Sequence, residues 1–61
     1  MLIKYAAFHT EVLIGEAYQS EVDYTDVDGL WHDDLGVWAE FEGDRTLVPW
    51  HNVRFTTHRK K

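Results

Sequence analysis

The chain has 61 residues, no cysteine and a net charge of −5 with its histidines neutral. A chain this short buries only ~60% of the surface that its unfolded form exposes, so residues 1–61 are expected to form one small domain. The missing cysteine excludes a disulfide framework and a thiolate site. No apolar run reaches the ~20 residues of a membrane helix, and no signal-peptide pattern follows Met1. We therefore expect a cytoplasmic protein without a membrane partner.

The charged residues are segregated along the chain. All eleven acidic residues lie between Glu11 and Asp44, a stretch without Lys or Arg, whereas five of the six basic residues lie between Arg45 and Lys61. Such segregation steers encounters with a partner of opposite charge, and an acidic body disfavours general binding to phosphate backbones. The last three residues, 59–61, are expected to form a basic tail in solvent.

The first third of the chain predicts two strands. Residues typical of strands are spread throughout, and no long apolar stripe with a 3.6-residue period appears, which favours an all-β fold. A first strand is predicted over residues 2–8 and a second over 11–19. A helix over 4–14 is the competing interpretation, because three apolar residues within it have helical spacing.

Turn signals and alternation organise the remainder. Asp28-Gly29 is a strong turn dipeptide and predicts a hairpin tip. Residues 36–42 alternate most clearly, with one face expected in the core and the other outward. Gly43-Asp44 predicts the next turn, 45–48 a short strand, and 53–57 a last strand after Pro49 ends the pairing. In residues 36–42, one face has Val37, Ala39 and Phe41 and the other has Trp38, Glu40 and Glu42. In residues 53–57, Val53, Phe55 and Thr57 are predicted to share one face, with Arg54, Thr56 and His58 opposite.

The ending Leu47-Val48-Pro49-Trp50-His51-Asn52-Val53-Arg54-Phe55 resembles the last corner of SH3-like and Sm-like small β-barrels. The resemblance covers residues 47–61 and implies a strand, a short 3₁₀ turn and a final strand. Together with the short predicted strands, it indicates a strongly bent antiparallel sheet or SH3-like barrel of about five strands. It carries over no ligand-binding residue. Small chains of this style are common in phage genomes, and the sequence fits a phage or a cellular origin.

Two motifs suggest metal binding, and neither has the required spacing. Residues 23–29 resemble half of a calcium loop, but with Gly29 at the sixth position the first and twelfth ligands would be Tyr24 and Leu35. His32-Asp33-Asp34 places three potential ligands in sequence, yet adjacent residues do not converge easily on one ion, and no second histidine stands at ligand spacing. We predict no metal and no cofactor.

An enzyme is not expected. Glu40 and Glu42 could divide acid and base roles only inside a pocket that excludes water, and so small a barrel has little room for a cavity of ~300 Å³. The chain also lacks a nucleophile elbow and a phosphate-binding glycine loop.

Tryptophan supplies the candidate contact residue. If Val37 and Ala39 fill the core, Trp38 stands outward beside acidic groups, which is typical of an interface anchor. One of the three tryptophans is nevertheless expected to be the central core residue. The sequence does not indicate which one, because it does not fix strand register.

Three functions follow as hypotheses. The first is a protein-interaction module or small inhibitor that binds a basic protein surface, because closely spaced carboxylates can imitate a phosphate backbone; its contact residues are Asp23, Asp26, Asp28, Trp38, Glu40 and Glu42. The alternative is a nucleic-acid binder of Sm-like or cold-shock-like shape, which would use Arg45, Trp50, Arg54, Arg59, Lys60 and Lys61. The third is a structural component, since unpaired strand edges favour a homo-oligomer.

Overall fold

The computed structural model describes residues 1–58, in which six strands form two three-stranded antiparallel sheets. The first sheet contains β1 (Ile3–Ile14), β2 (Ala17–Asp23) and β6 (Val53–His58), in the order β2-β1-β6. The predicted all-β class is confirmed. Among the described residues, no helix has the length and apolar character needed to cross a membrane. The predicted basic tail at 59–61 lies outside the described residues.

The second sheet contains β3 (Gly29–His32), β4 (Gly36–Phe41) and β5 (Asp44–Pro49), in chain order. Two 3₁₀ turns lead from one sheet to the other. The first (Tyr24–Asp26) follows β2, and the second (Trp50–Asn52) joins β5 to β6. The chain therefore enters and leaves the second sheet through short helical turns.

The core lies between the two sheets and is mainly aliphatic. No described polar side chain is buried, and Phe8 is the one aromatic residue among the buried ones in residues 1–58. The prediction that one tryptophan occupies the core is wrong, because small aliphatic side chains from both sheets already fill the space. The clustered buried residues are Ile3, Ala6, Phe8, Ile14 and Val22 from the first sheet and Leu30, Val37, Ala39 and Val48 from the second.

The sheets meet at one corner and do not close into a barrel. Leu2 forms an isolated antiparallel bridge with Trp31. Beside it, the Met1 amino group donates to the His32 carbonyl oxygen at 3.0 Å, and the His32 amide donates to the Met1 carbonyl oxygen at 2.9 Å. The N-terminal residues thus cover part of the β3 edge. The strand count is six, one more than the sequence predicted.

The predicted break after residue 8 lies inside β1, which is one long strand, and the alternative helix over 4–14 is wrong. The first half of β1 pairs with both neighbours, whereas the second half pairs with β2 alone. Between the pairs Ala7↔Glu21 and Val12↔Gln19, β1 advances five residues and β2 only two. The strand bulges there, and the hairpin turn falls at Gly15-Glu16. Alternation is lost at such a bulge, so the sequence suggested two elements.

The predicted hairpin tip at Asp28-Gly29 is wrong. Gly29 begins β3, and the strand that precedes it belongs to the other sheet. The connection between β3 and β4 is made by residues 33–35, where the Asp33 amide donates to the Gly36 carbonyl oxygen at 3.0 Å. A turn dipeptide indicates a change of direction, but it does not say which strands will pair.

The predicted β4 register is confirmed. Val37 and Ala39 are buried and Phe41 packs against the core. The turn to β5 is one residue earlier than predicted: Phe41 pairs with Asp44, and Glu42 and Gly43 form the two-residue loop with positive φ angles of 51° and 86°. Such a loop is typical of hairpins whose turn matches the strand twist.

The prediction that Val53 shares one face of β6 with Phe55 and Thr57 is wrong. Between two successive pairs β6 advances two residues where β1 advances one, which makes Arg54 an extra residue. Val53 and Thr56 are half-buried, while Phe55 and Thr57 are exposed. Because a bulge reverses the alternation that follows it, Phe55 lies outside the core.

Candidate functional site: the outer face of the second sheet

Two tryptophans form a flat aromatic surface on the outside of the second sheet. Trp31 and Trp38 pair directly across β3 and β4, and their neighbours Leu30 and Val37 are buried. Since successive side chains of a strand point to opposite faces, both tryptophans face outward. Their ring centroids are 6.3 Å apart and the rings are inclined by 10°, a separation typical of offset stacking.

Asp33 fixes one end of this surface. Its carboxylate accepts the Leu35 amide at 2.8 Å through Oδ1 and the Trp38 indole Nε1 at 2.9 Å through Oδ2. The hydrogen bond from the Leu35 amide, assisted by that from Trp38 and opposed by partial desolvation, lowers the pKa of Asp33. The Asp33 carbonyl oxygen accepts the Trp50 indole Nε1 at 3.0 Å. One residue therefore orients two tryptophans.

The guanidinium of Arg45 lies over the ring of Trp31, the second tryptophan of the stacked pair. Arg45 pairs with Glu40 across β4 and β5, and its Nε is 3.7 Å from Glu40 Oε1. The guanidinium carbon lies 5.6 Å from the centroid of the Trp31 ring. We call the surface formed by Trp31, Trp38, Glu40 and Arg45 the tryptophan face.

Asp28 and Glu42 lie beside this face, at the β4–β5 turn. The Asp28 carboxylate accepts the Glu42 amide at 2.8 Å, and the Asp28 amide donates to the Glu40 carbonyl oxygen at 2.8 Å. Glu42 is expected from the sequence to share a face of β4 with Trp38 and Glu40. The strand ends at Phe41, and Glu42 lies in the turn that follows it. Four of the six predicted contact residues are thus brought together: Asp28, Trp38, Glu40 and Glu42.

The other two predicted contact residues are Asp23, the last residue of β2, and Asp26, which lies in the first 3₁₀ turn. Asp23 caps the first 3₁₀ turn, since its Oδ2 accepts the Thr25 hydroxyl at 2.6 Å and the Thr25 amide at 3.0 Å. The hydroxyl hydrogen bond, followed by that of the amide, lowers the pKa of Asp23. Asp26 is exposed within the turn. The two hydrogen bonds to Thr25 give Asp23 a structural role as the cap of this turn.

The predicted nucleic-acid set is divided between elements. Arg45 lies on the tryptophan face, Trp50 lies in the second 3₁₀ turn, and Arg54 is an exposed residue of β6 in the other sheet. The remaining three, Arg59, Lys60 and Lys61, lie outside the described residues.

The outer face of the first sheet has a second aromatic pair. The Tyr5 and Phe55 ring centroids are 5.7 Å apart, and Phe55 is exposed. Partial desolvation, with a hydrogen bond to Glu21, raises the pKa of Tyr5. Two carboxylates, Glu21 and Asp23, lie near this pair, and Asp23 is the cross-strand partner of Tyr5. The cation of Arg54 also acts on Tyr5.

A third group of rings lies where the sheets meet. The His32 ring centroid is 5.6 Å from that of Trp50 and 5.5 Å from that of His58. Within residues 1–58, no three His, Asp or Glu side chains are grouped so that they could hold a metal ion. The group is a ring contact between two sheets.

Sequence reasoning missed the roles of Asp33 and Arg45. The sequence presents Asp33 as a potential metal ligand, although an aspartate that can accept the amide two residues later is also a recognised turn signal. The nucleic-acid hypothesis gives Arg45 a role in phosphate contacts. Its contact with Trp31 depends on both β3 and β5 lying beside β4, and no local signal in the sequence reports that arrangement.

Comparison of the chain with protein-family models, with curated proteins and with solved structures found no match.

Proposed function

We propose that this chain is a small SH3-like protein-interaction module whose tryptophan face binds a basic surface of another protein. The observation that supports the proposal best is the stacked pair Trp31 and Trp38, held outward beside carboxylates. Tryptophans with restricted geometry lose little conformational entropy on binding and are enriched among residues that dominate interface energies.

The charges around the pair favour a cationic partner. Asp28, Asp33, Glu40 and Glu42 surround or border the face, and Arg45 is the single basic residue on it. A patch of one sign increases the rate of encounter with the opposite sign and disfavours like-charged competitors. A Lys- or Arg-rich protein segment satisfies both the rings and the carboxylates, because cations also bind aromatic faces.

The test compares tryptophan variants in binding to a Lys- and Arg-rich peptide at low and moderate salt. The wild-type chain should bind with an affinity that falls as salt rises. Trp38→Ala should retain its strand spectrum, lose about 1 kcal/mol of folding stability with the stacked ring, and weaken binding about tenfold or more. Trp31→Ala provides a second variant of the same pair.

Tyr18→Ala is the matched control, since Tyr18 is an aromatic residue that is 67% exposed on β2. It should bind as the wild type does. Equal binding by wild type and Trp38→Ala would exclude the tryptophan face. Capture from lysate with the same two baits then identifies the natural partner as a protein retained by the wild type and lost by Trp38→Ala.

The nucleic-acid alternative has less support, because Arg45 lies among carboxylates that repel a phosphate backbone and Arg54 lies on the other sheet. A homo-oligomer is a further proposal, supported by the strand order, which leaves β5 as an edge with no neighbouring strand in residues 1–58. An unpaired edge is a template for another copy. Sedimentation over a wide concentration range tests it, and a monomer throughout would remove it.

A further inference from the structure

The tryptophan face already contains a bound cation of its own. Arg45 lies over the Trp31 ring, with its guanidinium carbon 5.6 Å from the centroid, and contacts Glu40 at 3.7 Å. Its side chain remains 64% exposed, and that of Glu40 34%. Exposed ion pairs and exposed cation–π contacts each stabilise by no more than about 1 kcal/mol, so Arg45 is held weakly.

The shape of the site depends on Gly29. Gly29 pairs with Glu40, and a Cβ at this glycine would lie 3.0 Å from a carbon of the Trp31 ring and 3.6 Å from the Cβ of Glu40. The ring of Trp31 therefore leans over the glycine toward Glu40. The Trp31 ring and the Glu40 carboxylate are therefore close enough for one guanidinium to contact both, as that of Arg45 does.

We infer that the Trp31 and Glu40 site recognises an arginine side chain of the partner, and that Arg45 is an internal occupant which this arginine displaces. The inference rests on the proposed function and specifies its ligand. Arginine fits better than lysine, because its planar guanidinium stacks on an aromatic ring while its N–H groups reach a carboxylate.

The carboxylates near the site favour a second cation. Within residues 1–58, Arg45 and Glu40 form the one ion pair between side chains. The carboxylates of Asp28 and Glu42 border the site, and neither forms an ion pair in this part of the chain. An arginine-rich segment that replaces Arg45 at Glu40 also brings charge to these two groups. The exchange is then favourable even though one internal contact is lost.

An internal competitor lowers the apparent affinity by the fraction of molecules in which the site is free. Removing the Arg45 guanidinium should therefore increase affinity for an arginine-rich peptide by roughly threefold to tenfold, given the weak internal contacts. A direct contact of Arg45 with a partner would have the opposite sign, so the direction of the effect decides between the two roles.

The experiment uses the full chain and two peptides that are identical except that all arginines in one are lysines in the other. Binding is followed by tryptophan fluorescence at low salt for the wild type, Arg45→Gln, Arg45→Lys and Arg54→Gln. Arg54→Gln removes the same charge from the other sheet and controls for the general change in field. Thermal unfolding verifies that each variant is folded.

We expect Arg45→Gln to bind the arginine peptide more tightly than Arg54→Gln does, with a smaller gain for the lysine peptide. Arg45→Lys should lie between wild type and Arg45→Gln. Equal gains for Arg45→Gln and Arg54→Gln, or weaker binding by Arg45→Gln, would overturn the inference and leave the proposed function standing if Trp38→Ala still loses binding. If no variant binds either peptide, both the inference and the proposed function fail.

Discussion

At the scale of single residues, Asp33 does most to shape the candidate site. Its side chain and its carbonyl oxygen receive the indole N–H groups of Trp38 and Trp50, while the turn amide of Leu35 satisfies its second carboxylate oxygen. The indole N–H is a donor only, so a tryptophan that is partly shielded from water needs an acceptor of this kind. The Leu35 amide and the Trp38 indole N–H donate to the carboxylate and therefore stabilise its ionised form.

Acid should therefore destabilise the chain through Asp33. The pKa of Asp33 is lowered, chiefly by the Leu35 amide, so the folded state gains stability when pH is above the unfolded value of ~3.9. That stability is lost as pH falls through the lower folded pKa. We expect Asp33→Asn to lose less stability than wild type between mildly acidic pH and the pKa of the folded state, in urea titrations at a series of pH values. Asp23 keeps part of the dependence, since its pKa is lowered as well.

The charge-matched control for that series is Asp34→Asn, which removes the neighbouring exposed carboxylate. A pH dependence reduced equally by both variants would show that general charge, rather than the two hydrogen bonds of Asp33, governs acid unfolding.

Gly36 is a position at which no other residue is expected to fit. It has a φ of 150°, and a methyl group there would overlap the carbonyl oxygen of Val48 on the neighbouring strand. Because that neighbour is backbone and cannot rotate away, Gly36→Ala should lower the free energy of unfolding by about 3 kcal/mol or more. Urea denaturation measures the difference.

Gly43→Ala separates conformational strain from the clash. Gly43 also has a positive φ, 86°, but nothing lies within 4 Å of a Cβ placed there. Its substitution should cost about 1–2 kcal/mol. A cost at Gly36 no greater than that at Gly43 would show that the strands move apart at little expense.

At the scale of elements, the bulge in β1 is held by a side chain from another part of the chain. Asn52 of the second 3₁₀ turn accepts the Thr10 amide at 2.8 Å and donates to the Thr10 carbonyl oxygen at 3.0 Å. The asparagine thus replaces a partner strand where β2 gives no pair. It also ties β1 to the turn that begins the last strand.

Asn52→Ala should consequently loosen the bulge. Both hydrogen bonds lie in an exposed setting, so we expect a loss of about 1 kcal/mol together with faster hydrogen exchange at the Thr10 amide. His51→Ala, which changes an exposed residue of the same turn, should leave that exchange rate unchanged. An unaltered Thr10 rate in Asn52→Ala would mean that the bulge is stable by itself.

At the scale of the whole molecule, acidic residues are distributed over more than one surface. The β1–β2 hairpin carries Glu11, Glu16 and Glu21, whereas the surroundings of the tryptophan face contain Asp28, Asp33, Glu40 and Glu42. The net charge of −5 therefore produces a general field, and under the proposed function we expect the second group to direct a basic partner to the tryptophan face.

Charge reversal separates these two effects. Glu40→Lys with Glu42→Lys should slow association with a basic peptide by about tenfold or more at low salt, and the difference should diminish at high salt. Glu11→Lys with Glu16→Lys makes the same change in net charge on the β1–β2 hairpin of the first sheet, and we expect it to slow association less. Stopped-flow fluorescence measures both rates, and equal slowing by the two pairs would remove the local part of the proposal.

The sequence alone determined those features that depend on neighbours in the chain. The alternation in β4 predicted that Val37 and Ala39 are buried and that Trp38 and Glu40 are outside, because the pleat of a strand has a fixed period of two. The glycine after Glu42 located a tight turn to within one residue, and the absence of cysteine excluded disulfides at once.

Only the tertiary structure decided what depends on pairing between distant segments. It made β1 one strand with a bulge that Asn52 holds at Thr10, separated Asp28-Gly29 from any hairpin, and placed Phe55 outside through the extra residue in β6. It also left all three tryptophans out of the core, because aliphatic side chains from two sheets fill that space first. Arg45 of β5 reaches Trp31 of β3 only because both strands pair with β4, one on each side of it. Register between strands is set by long-range packing, which no local pattern encodes.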